Sequence, residues 1–385
     1  MKSNYLAKRN WIFEIQTLSM TNDMAKKYDD VIDLSIGDPD YPCDPKILRA
    51  MYEAGINGHT HYTEFSGDEE LRQVICNQYN QYGSKYDIDN VIITAGGTHA
   101  MYLVMSAILD EGDEVIVISP YYIYYRPQII MNKGVVVEYK SNPDENFSID
   151  MSQLENLITC RTKAIIVNNP NNPTGKVYKE REIRDLIEII KKYDIILIAD
   201  DIYGALNYTE YKKPICTYEC DPRILTIYSF SKDFSFTGLR LGYVIGGEKR
   251  IIMAIQNINE AINFTINSMA QRSGIYALEY AKEIQEPLRE EYKNRLDYCY
   301  ERIQGIKRMK CYKPEGTFYL FIDIRETGIK SYDLWHKILD EAHVLVLPGS
   351  GFGEAGEGFI RIACTVGVEK LKEAFDRLER MELFS

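Results

Sequence analysis

The sequence predicts an α/β fold in which a mostly parallel sheet lies between helices. Segments typical of strands alternate with segments typical of helices from about residue 91 to 264. One strand candidate, residues 195–199, is apolar at every position, which is typical of a strand buried on both faces. The segment before it, residues 182–193, carries apolar residues at helical spacing. Such alternation indicates strands joined by right-handed crossover helices.

Length and composition narrow the class of protein. The chain has 385 residues, of which 45% are hydrophobic and 26% charged, ordinary values for a globular protein. This length exceeds one simple core, so we expect two domains, the second built from both termini. A net charge of −12 argues against a nucleic-acid partner, because binding phosphates needs a basic surface. No apolar run reaches the roughly 18 residues that span a bilayer, so no membrane partner is expected.

The protein is expected in the cytoplasm, and no metal site is expected. Residues 1–20 mix charged and apolar side chains and lack the apolar core of a signal peptide. The eight cysteines are scattered, without a Cys-x-x-Cys pair, and no histidine lies near Cys216 and Cys220 at the spacing of metal ligands. Most of the cysteines are therefore predicted to be reduced and buried.

The segment with the strongest chemical signal surrounds Lys232, between two predicted strands at residues 224–228 and 241–245. A lysine in such a loop is usually a solvated charge. Here Ser229 precedes it and Arg240 follows it, and hydroxyl and guanidinium groups together suit a phosphate. A partly desolvated lysine amine can form a Schiff base with a carbonyl. An amine beside a phosphate site suggests pyridoxal phosphate (PLP).

A second candidate for phosphate binding is the turn of Gly96, Gly97 and Thr98. It follows a predicted strand at residues 91–94 and precedes an apolar helix at 100–109. In that arrangement the free N–H groups and the dipole at the helix N-terminus form an anion site. The glycines do not fit the Walker motif or the dinucleotide-binding motif. By itself the pattern is equally consistent with a plain tight turn.

Two further strands are followed by polar residues at the sheet edge where ligands bind in open α/β folds. The strand at residues 164–167 leads into the turn at 168–175, which contains Asn172. The fully apolar strand is followed by Asp200 and, three residues later, by Tyr203. A carboxylate there usually caps the next turn. If it faced a pyridine nitrogen, it would instead keep that nitrogen protonated.

Together these motifs resemble those of the fold-type I PLP-dependent aminotransferases (aminotransferase class I/II family). The matching elements are Ser-x-Ser-Lys followed by Gly-x-Arg around Lys232, Asn-Pro-x-Asn-Pro-Thr-Gly at residues 169–175, and Asp-x-x-Tyr at 200–203. They occur in the family's order, and the resemblance runs from Asp33 to Arg361, most of the chain. It implies that Lys232 forms the Schiff base with PLP.

The resemblance also implies the other cofactor contacts. The residues that correspond to ligands of the phosphate are Ser229, Arg240, Gly96, Gly97 and Thr98. Those that correspond to partners of the ring are Asp200 at the pyridine nitrogen and Asn172 and Tyr203 at the phenolic oxygen. Tyr122 has the place of the aromatic side chain that stacks on the ring, although an aromatic core cluster is its ordinary interpretation. Relatives often carry proline at the next position, where this chain has Ile123.

Substrate contacts and a dimer follow from the same resemblance. Gly37, in a Gly-x-Pro-Asp element, corresponds with Asn172 and Arg361 to residues that bind the substrate. Arg361 lies in an apolar segment at residues 359–362, and by default it would be an edge-strand arginine directed outward. Tyr62 corresponds to a tyrosine that reaches the cofactor phosphate of the neighbouring subunit. A homodimer is therefore expected.

The family's architecture implies a particular division of the chain. Residues 1–44 would form an N-terminal arm and part of the small domain. Residues 45–285 would form the large PLP-binding domain, with a mostly parallel seven-stranded sheet between helices. Residues 286–385 would form the small C-terminal domain, so that an α+β unit is assembled from both termini.

The implied activity is ping-pong transamination, in which an amino group moves from an L-amino acid to a 2-oxo acid. The same fold and cofactor also serve carbon–sulfur β-lyases and aminocyclopropane-carboxylate synthases. A non-catalytic ligand-sensing regulator is a weaker alternative, because Lys232 is retained and the roughly 30 residues before Asp33 contain no basic DNA-binding domain. Aspartate, alanine and aromatic substrates all stay open, with the many tyrosines favouring an aromatic or apolar side chain.

Overall fold

The computed structural model describes Tyr5 and residues 24–385. The expectation about a signal peptide, which rests on residues 1–20, and the first part of the expected N-terminal arm lie outside the described residues, apart from Tyr5. Within the described part of the chain, no helix is both long enough and apolar enough to cross a bilayer.

Strands and α-helices alternate from residue 91 to residue 200 of the described chain. The strands are β1 (Ile32–Asp33), β2 (Val91–Thr94), β3 (Glu114–Ser119), β4 (Val135–Lys140), β5 (Thr162–Asn168), β6 (Ile196–Asp200), β7 (Ile224–Ser229), β8 (Gly242–Gly246), β9 (Tyr319–Asp323), β10 (Val344–Leu345), β11 (Leu347–Pro348) and β12 (Phe359–Ala363). The helices are α1 (Pro45–Ile56), α2 (Glu69–Asn80), α3 (Gly97–Ile108), α4 (Tyr125–Met131), α5 (Met151–Glu155), α6 (Glu180–Tyr193), α7 (Lys249–Asn263), α8 (Ser268–Glu279), α9 (Ala281–Gln304), α10 (Ser331–Ala342) and α11 (Val368–Glu379).

Seven of the strands form one sheet in the order β2-β8-β7-β6-β5-β3-β4. Neighbouring strands are parallel, except that β8 runs antiparallel to both of its neighbours. The predicted α/β class and mostly parallel seven-stranded sheet are thereby confirmed.

Strand β5 illustrates why the central strands are apolar throughout. Ile165 and Val167 belong to the hydrophobic core on one face of the sheet, whereas Ala164 and Ile166 belong to the core on the other face. Successive side chains of a strand point to opposite faces, so a strand covered on both faces needs apolar residues at every position. This requirement produces the continuous apolar runs in the sequence.

The parallel strands end in polar residues at one edge of the sheet. β5 ends at Asn168, β6 at Asp200 and β7 at Ser229. Asn168 and Asp200 are direct neighbours across the ladder. The antiparallel strand β8 begins at the same edge, where Gly242 pairs with both Ser229 and Thr94. Residues that are distant in sequence thus meet at this edge, which is where open α/β sheets bind ligands.

A second unit of the fold combines segments from both ends of the described chain. Strands β11, β12 and β9 form an antiparallel sheet with β12 in the centre, and β1 pairs with β10. Ile32 and Leu34 share a hydrophobic core with α10, α11 and the second half of α9. This core accounts for the expected small α+β unit, whereas the divisions after residues 44 and 285 stay predictions.

Candidate active site

A cavity of about 330 Å³ lies where the polar edge of the large sheet meets the second unit. It brings together all the predicted site residues except Gly96 and Tyr62. The predicted residues that line it are Gly37, Gly97, Thr98, Tyr122, Asn172, Asp200, Tyr203, Ser229, Lys232, Arg240 and Arg361. Segments separated by more than 300 positions in the sequence therefore contribute to one cavity.

Lys232 presents its amine to this cavity from the loop after β7. Its Nζ atom donates a hydrogen bond to the carbonyl oxygen of Gly37 at 2.6 Å. Burial lowers the pKa of the Lys232 amine, because a charged ammonium group is poorly solvated there. A lowered pKa increases the fraction of neutral amine, which is the form that attacks a carbonyl.

The turn before α3 has the features of an anion site. The N-cap residue of α3, Gly96, provides no side-chain cap, and Gly97 and Thr98 at this helix N-terminus line the cavity. Gly96 has a φ of 87°, and a Cβ there would lie 2.7 Å from Nη2 of Arg240. Glycine at residue 96 therefore lets the Arg240 guanidinium approach the turn. Ser229 supplies a hydroxyl on the same side, bonded to the Ser231 hydroxyl at 2.9 Å.

Asp200 is fully enclosed at the end of β6. The Tyr125 hydroxyl donates to one carboxylate oxygen, and the Ile202 N–H donates to the other at 3.3 Å. Burial raises the pKa of Asp200 to about 6, although the hydrogen bond from Tyr125 acts in the opposite direction. A buried carboxylate with few partners is stabilised by a nearby positive charge. The site thus suits a ligand that presents a protonated nitrogen.

Arg361 is buried, and the default expectation of an outward edge-strand arginine is wrong. It lies on the central strand β12 and is only 4% exposed. Nη1 donates to Oδ1 of Asn172 at 3.0 Å, and Nη2 donates to the carbonyl oxygen of Ser35. The guanidinium also stacks on the Tyr319 ring, 4.1 Å from its centre. The sequence of β12 alone could not indicate the burial of Arg361, because the strands and loops that surround β12 come from distant segments.

The guanidinium of Arg361 keeps unused hydrogen-bonding capacity. Its Nε atom is buried and has no hydrogen-bond partner among the described residues. Buried donors are nearly always paired, so an orphaned one suggests a ligand. An arginine can hold a carboxylate through two parallel hydrogen bonds, which is the interaction this donor set offers.

Gly37 is required by the close approach of Tyr319. A Cβ at residue 37 would lie 1.8 Å from the Tyr319 hydroxyl oxygen. The Tyr319 hydroxyl is in turn within hydrogen-bond distance of the Tyr203 hydroxyl, at 3.0 Å. Burial raises the pKa of Tyr203, so its hydroxyl keeps its proton and can donate it in a hydrogen bond.

The two predicted aromatic contacts have different surroundings. Tyr122 lines the cavity, and its ring lies edge-on to those of Tyr124 and Tyr125, at 5.4 and 5.6 Å. Tyr62 lies outside the cavity with 77% of its surface exposed, and its ring contacts Phe264 at 4.7 Å. The predicted roles of both residues stay predictions.

Sequence reasoning missed several residues of the site. Tyr319 contacts Arg361, Tyr203 and the Gly37 position, and Tyr125 is the hydroxyl partner of Asp200. Ser35 supplies the carbonyl that Arg361 binds. The Gly-x-Pro-Asp element could have drawn attention to Ser35, two residues upstream. No local pattern marks Tyr319, because its role depends on the pairing of β9 with β12.

The residues present fit pyridoxal phosphate. A lysine with a lowered pKa, a helix N-terminus beside an arginine, and an enclosed carboxylate occur in one cavity. They match the aldehyde, the phosphate and the ring nitrogen of that molecule in chemical type.

Comparison with known proteins identifies the family of this chain. The sequence profile described as "Aminotransferase class I and II" matches residues 29–378. The chain belongs to the aminotransferase class I and II family. It is a PLP-dependent aminotransferase, as the resemblance predicted, and the alternatives of a lyase and a non-catalytic regulator are not supported.

Curated relatives of this aminotransferase carry related names. The aspartate aminotransferases of Thermotoga maritima and Bacillus subtilis are each 35% identical to it, with 92% and 91% of both chains covered. The aromatic-amino-acid aminotransferase 2 of Thermococcus litoralis is 31% identical over 93% of both chains.

Solved structures agree with this result. A Thermus thermophilus aspartate aminotransferase double mutant has a TM-score of 0.93 at 30% identity, covering 99% of this chain and 100% of the other. An aromatic aminotransferase from Pyrococcus horikoshii has a TM-score of 0.87 at 32% identity, covering 94% and 98%. The fold-type I architecture expected from the sequence is thereby confirmed.

Proposed function

We propose that this enzyme moves the amino group of an L-amino acid to a 2-oxo acid in two half-reactions, a ping-pong mechanism, at the cavity around Lys232. The observation that carries the proposal is that Lys232 and Arg361 both donate hydrogen bonds to one short segment, residues 35–37. Lys232 Nζ binds the Gly37 carbonyl, and Arg361 Nη2 binds the Ser35 carbonyl. An arginine that can bind a carboxylate, and a lysine amine that would hold the cofactor aldehyde until a substrate amine displaces it, suit the two polar groups of an α-amino acid.

The residues proposed to hold the cofactor divide into two groups. Ser229, Arg240 and the turn of Gly96, Gly97 and Thr98 would bind the phosphate, which their hydroxyl, charge and free N–H groups support. Those proposed to bind the ring are Asp200 at the nitrogen, Asn172 and Tyr203 at the phenolic oxygen, and Tyr122 against the ring face.

PLP, when bound, supplies an aldehyde that combines with amines and a ring that takes up the electron pair left when the Cα–H bond breaks. With the cofactor bound and the Lys232 amine released by the substrate, Lys232 would accept the proton from Cα and then return it to the cofactor, acting as base and then as acid. Because burial lowers the pKa of the Lys232 amine, the neutral form that accepts a proton is favoured. Asp200 keeps the ring nitrogen protonated by placing a negative charge beside it.

Arg361, with Gly37 and Asn172, would orient the substrate. Two parallel hydrogen bonds from the guanidinium to the α-carboxylate fix the direction of the Cα–H bond relative to Lys232 Nζ. The stacking of Arg361 on Tyr319 and its bond to Asn172 hold the guanidinium in place before substrate arrives. Such preorganisation reduces the entropy lost on the way to the transition state.

We further propose a homodimer in which Tyr62 reaches the neighbouring active site. Tyr62 and Phe264 are exposed aromatic residues in contact, and Ile262, two residues before Phe264 in the sequence, is 55% exposed. Exposed apolar clusters of this kind typically mark protein–protein interfaces. A cytoplasmic location is likewise proposed, supported by eight cysteines without a disulfide.

An amino-transfer assay tests the proposed function. Holoenzyme is mixed with a panel of L-amino acids and either pyruvate or 2-oxoglutarate, and alanine or glutamate formation is measured. We expect a new amino acid without released ammonia, and complete loss of transfer in Lys232→Ala. The exposed Lys282→Ala serves as the matched control and should retain activity. Ammonia released in proportion to substrate consumed would instead indicate a lyase.

A further inference from the structure

We infer that the amino donor carries an apolar side chain, aliphatic or aromatic, in preference to the short charged side chain of aspartate. This inference rests on the proposed function, because it uses the α-carboxylate contact of Arg361 to place the substrate. Three apolar residues from three separate segments line the same cavity as Arg361: Ile36, Ile123 and Leu347. They form what we term the side-chain wall.

Leu347 is fixed beside Arg361 by strand pairing. The two residues are directly opposite each other in the antiparallel ladder of β11 and β12. Side chains at such positions lie on the same face of the sheet, with Cβ atoms about 5 Å apart. The Phe352 ring, 5.0 Å from the Arg361 guanidinium carbon, adds a further apolar surface.

Ile36 is placed between the two groups that bind the substrate. Its neighbours Ser35 and Gly37 accept hydrogen bonds from Arg361 and Lys232 respectively. Its own carbonyl oxygen accepts from the Thr365 hydroxyl at 2.9 Å, which anchors the segment. A substrate that spans Arg361 and Lys232 therefore passes Ile36.

Ile123 closes the wall from the large unit. It packs against a hydrophobic cluster that contains Leu347 and Phe352, and it directly follows Tyr122. Ile123 and Leu347 thus join the two units of the fold in one apolar surface, against which an apolar side chain is buried more favourably than a charged one.

Charge in the cavity points to the same donor class. Among the described residues that line it, the cations are Lys232, Arg240 and Arg361, and each already has a proposed partner. Asp38 and Asp200 add two carboxyl groups to the lining, and the charge of Asp38 reaches the Lys232 amine. A second substrate carboxylate at the side-chain wall would be desolvated against apolar residues, with no further cation among the described lining residues to pair with it, which is unfavourable.

The donor preference is measured in the first half-reaction, which needs no acceptor. Holoenzyme is mixed with L-leucine, L-phenylalanine, L-aspartate or L-lysine, and the change in cofactor absorbance is followed. We expect kcat/KM for leucine or phenylalanine to exceed that for aspartate by about tenfold or more, a usual discrimination for an apolar pocket. Faster reaction with aspartate than with both apolar donors would overturn the inference while leaving transamination intact. Reaction with none of the donors would instead overturn the proposed function.

Variants of the wall provide the second arm. Ile123→Lys supplies a cation where the substrate side chain would lie. This variant should raise the ratio of kcat/KM for aspartate to kcat/KM for leucine by about tenfold. Ile123→Met keeps the wall apolar and should leave the preference for leucine in place. Val135→Lys adds the same charge at an exposed edge-strand residue outside the cavity and should leave the ratio unchanged. An unchanged ratio in Ile123→Lys, with cofactor still bound, would contradict a substrate contact at this wall.

Discussion

The two ends of the catalytic cavity are built in different ways. At the phosphate end, Arg240 is largely exposed and its neighbours lie in short turns at the edge of one sheet. At the carboxylate end, Arg361 is 4% exposed and its contacts come from β9, the segment after β1 and the turn after β5. A buried guanidinium interacts more strongly with its partners than an exposed one, and the loss of a partner costs more free energy. The end that binds the exchanging substrate is therefore the more sensitive to change.

The largest effect is expected at the buried end. Arg361→Gln removes the proposed carboxylate ligand and leaves the Ser35 carbonyl without its charged partner. We expect kcat/KM for the best amino donor to fall by about 100-fold to 1000-fold, since breaking a buried charge contact costs about 2–5 kcal/mol. Cofactor affinity, measured by titration of absorbance, should change little. Equal losses of cofactor affinity and kcat/KM would show that Arg361 serves the whole cavity.

Gly37→Ala tests the close packing at the same end. The new methyl group would overlap the Tyr319 hydroxyl, and such overpacking costs about 1–3 kcal/mol. A loss of activity of about tenfold to 100-fold is expected in steady-state assays. Gly204→Ala is the matched control, since nothing lies within 4 Å of a Cβ there. Full activity in Gly37→Ala would mean that the segment can move away from Tyr319 without harm.

Because the pKa of the Asp200 carboxyl group is raised, we expect the stability of the cofactor-free protein to depend on pH. Its pKa of about 6 in the folded state exceeds the ordinary value of 3.8, so folded protein binds more protons between these pH values. Unfolding free energy should therefore fall as pH rises from about 4 to 6, by about 1–3 kcal/mol from this group. Denaturant titrations of wild type and Asp200→Asn at pH 4.5 and 6.5 measure the difference. The unfolding free energy of Asp200→Asn should fall less between the two pH values than that of the wild type. An equal fall in both proteins would show that groups other than Asp200 cause the pH dependence.

The smallest effect is expected at the exposed end. Arg240→Gln should weaken cofactor binding by about tenfold, because solvent screens an exposed charge and the α3 N-terminus and Ser229 remain. Salt should weaken cofactor binding more in wild type than in the variant, since screening acts on the charge that the variant lacks. Equilibrium dialysis at two salt concentrations measures both quantities. A 1000-fold loss of cofactor affinity in Arg240→Gln would contradict the expectation that the exposed end of the cavity is the less sensitive to substitution.

The same contrast explains what could be predicted from the sequence. The phosphate end depends on short motifs, and the residues of these motifs, Gly97, Thr98 and Ser229, line one cavity with Lys232. Helix α6 was likewise predicted within two residues of its start, because its apolar spacing is a local property. These features need no knowledge of long-range pairing.

The carboxylate end could be predicted only in part. Arg361 was identified by resemblance, but its burial follows from β12 lying between β11 and β9, a pairing that no single segment encodes. Tyr319 and Ser35 were missed for the same reason, since each contacts Arg361 across more than 40 residues of sequence. Tyr125 was missed because it follows β3, whereas its partner Asp200 ends β6, and β5 lies between these two strands in the sheet.

The most direct test of the account is to locate the covalent attachment of the cofactor. Purified enzyme is saturated with PLP, reduced with borohydride, digested and mapped by mass spectrometry. The account predicts a phosphopyridoxyl mass on the peptide that contains Lys232, and no such mass on that peptide in Lys232→Ala. Labelling of another lysine in preference to Lys232, or no labelling of a protein that binds PLP, would contradict it.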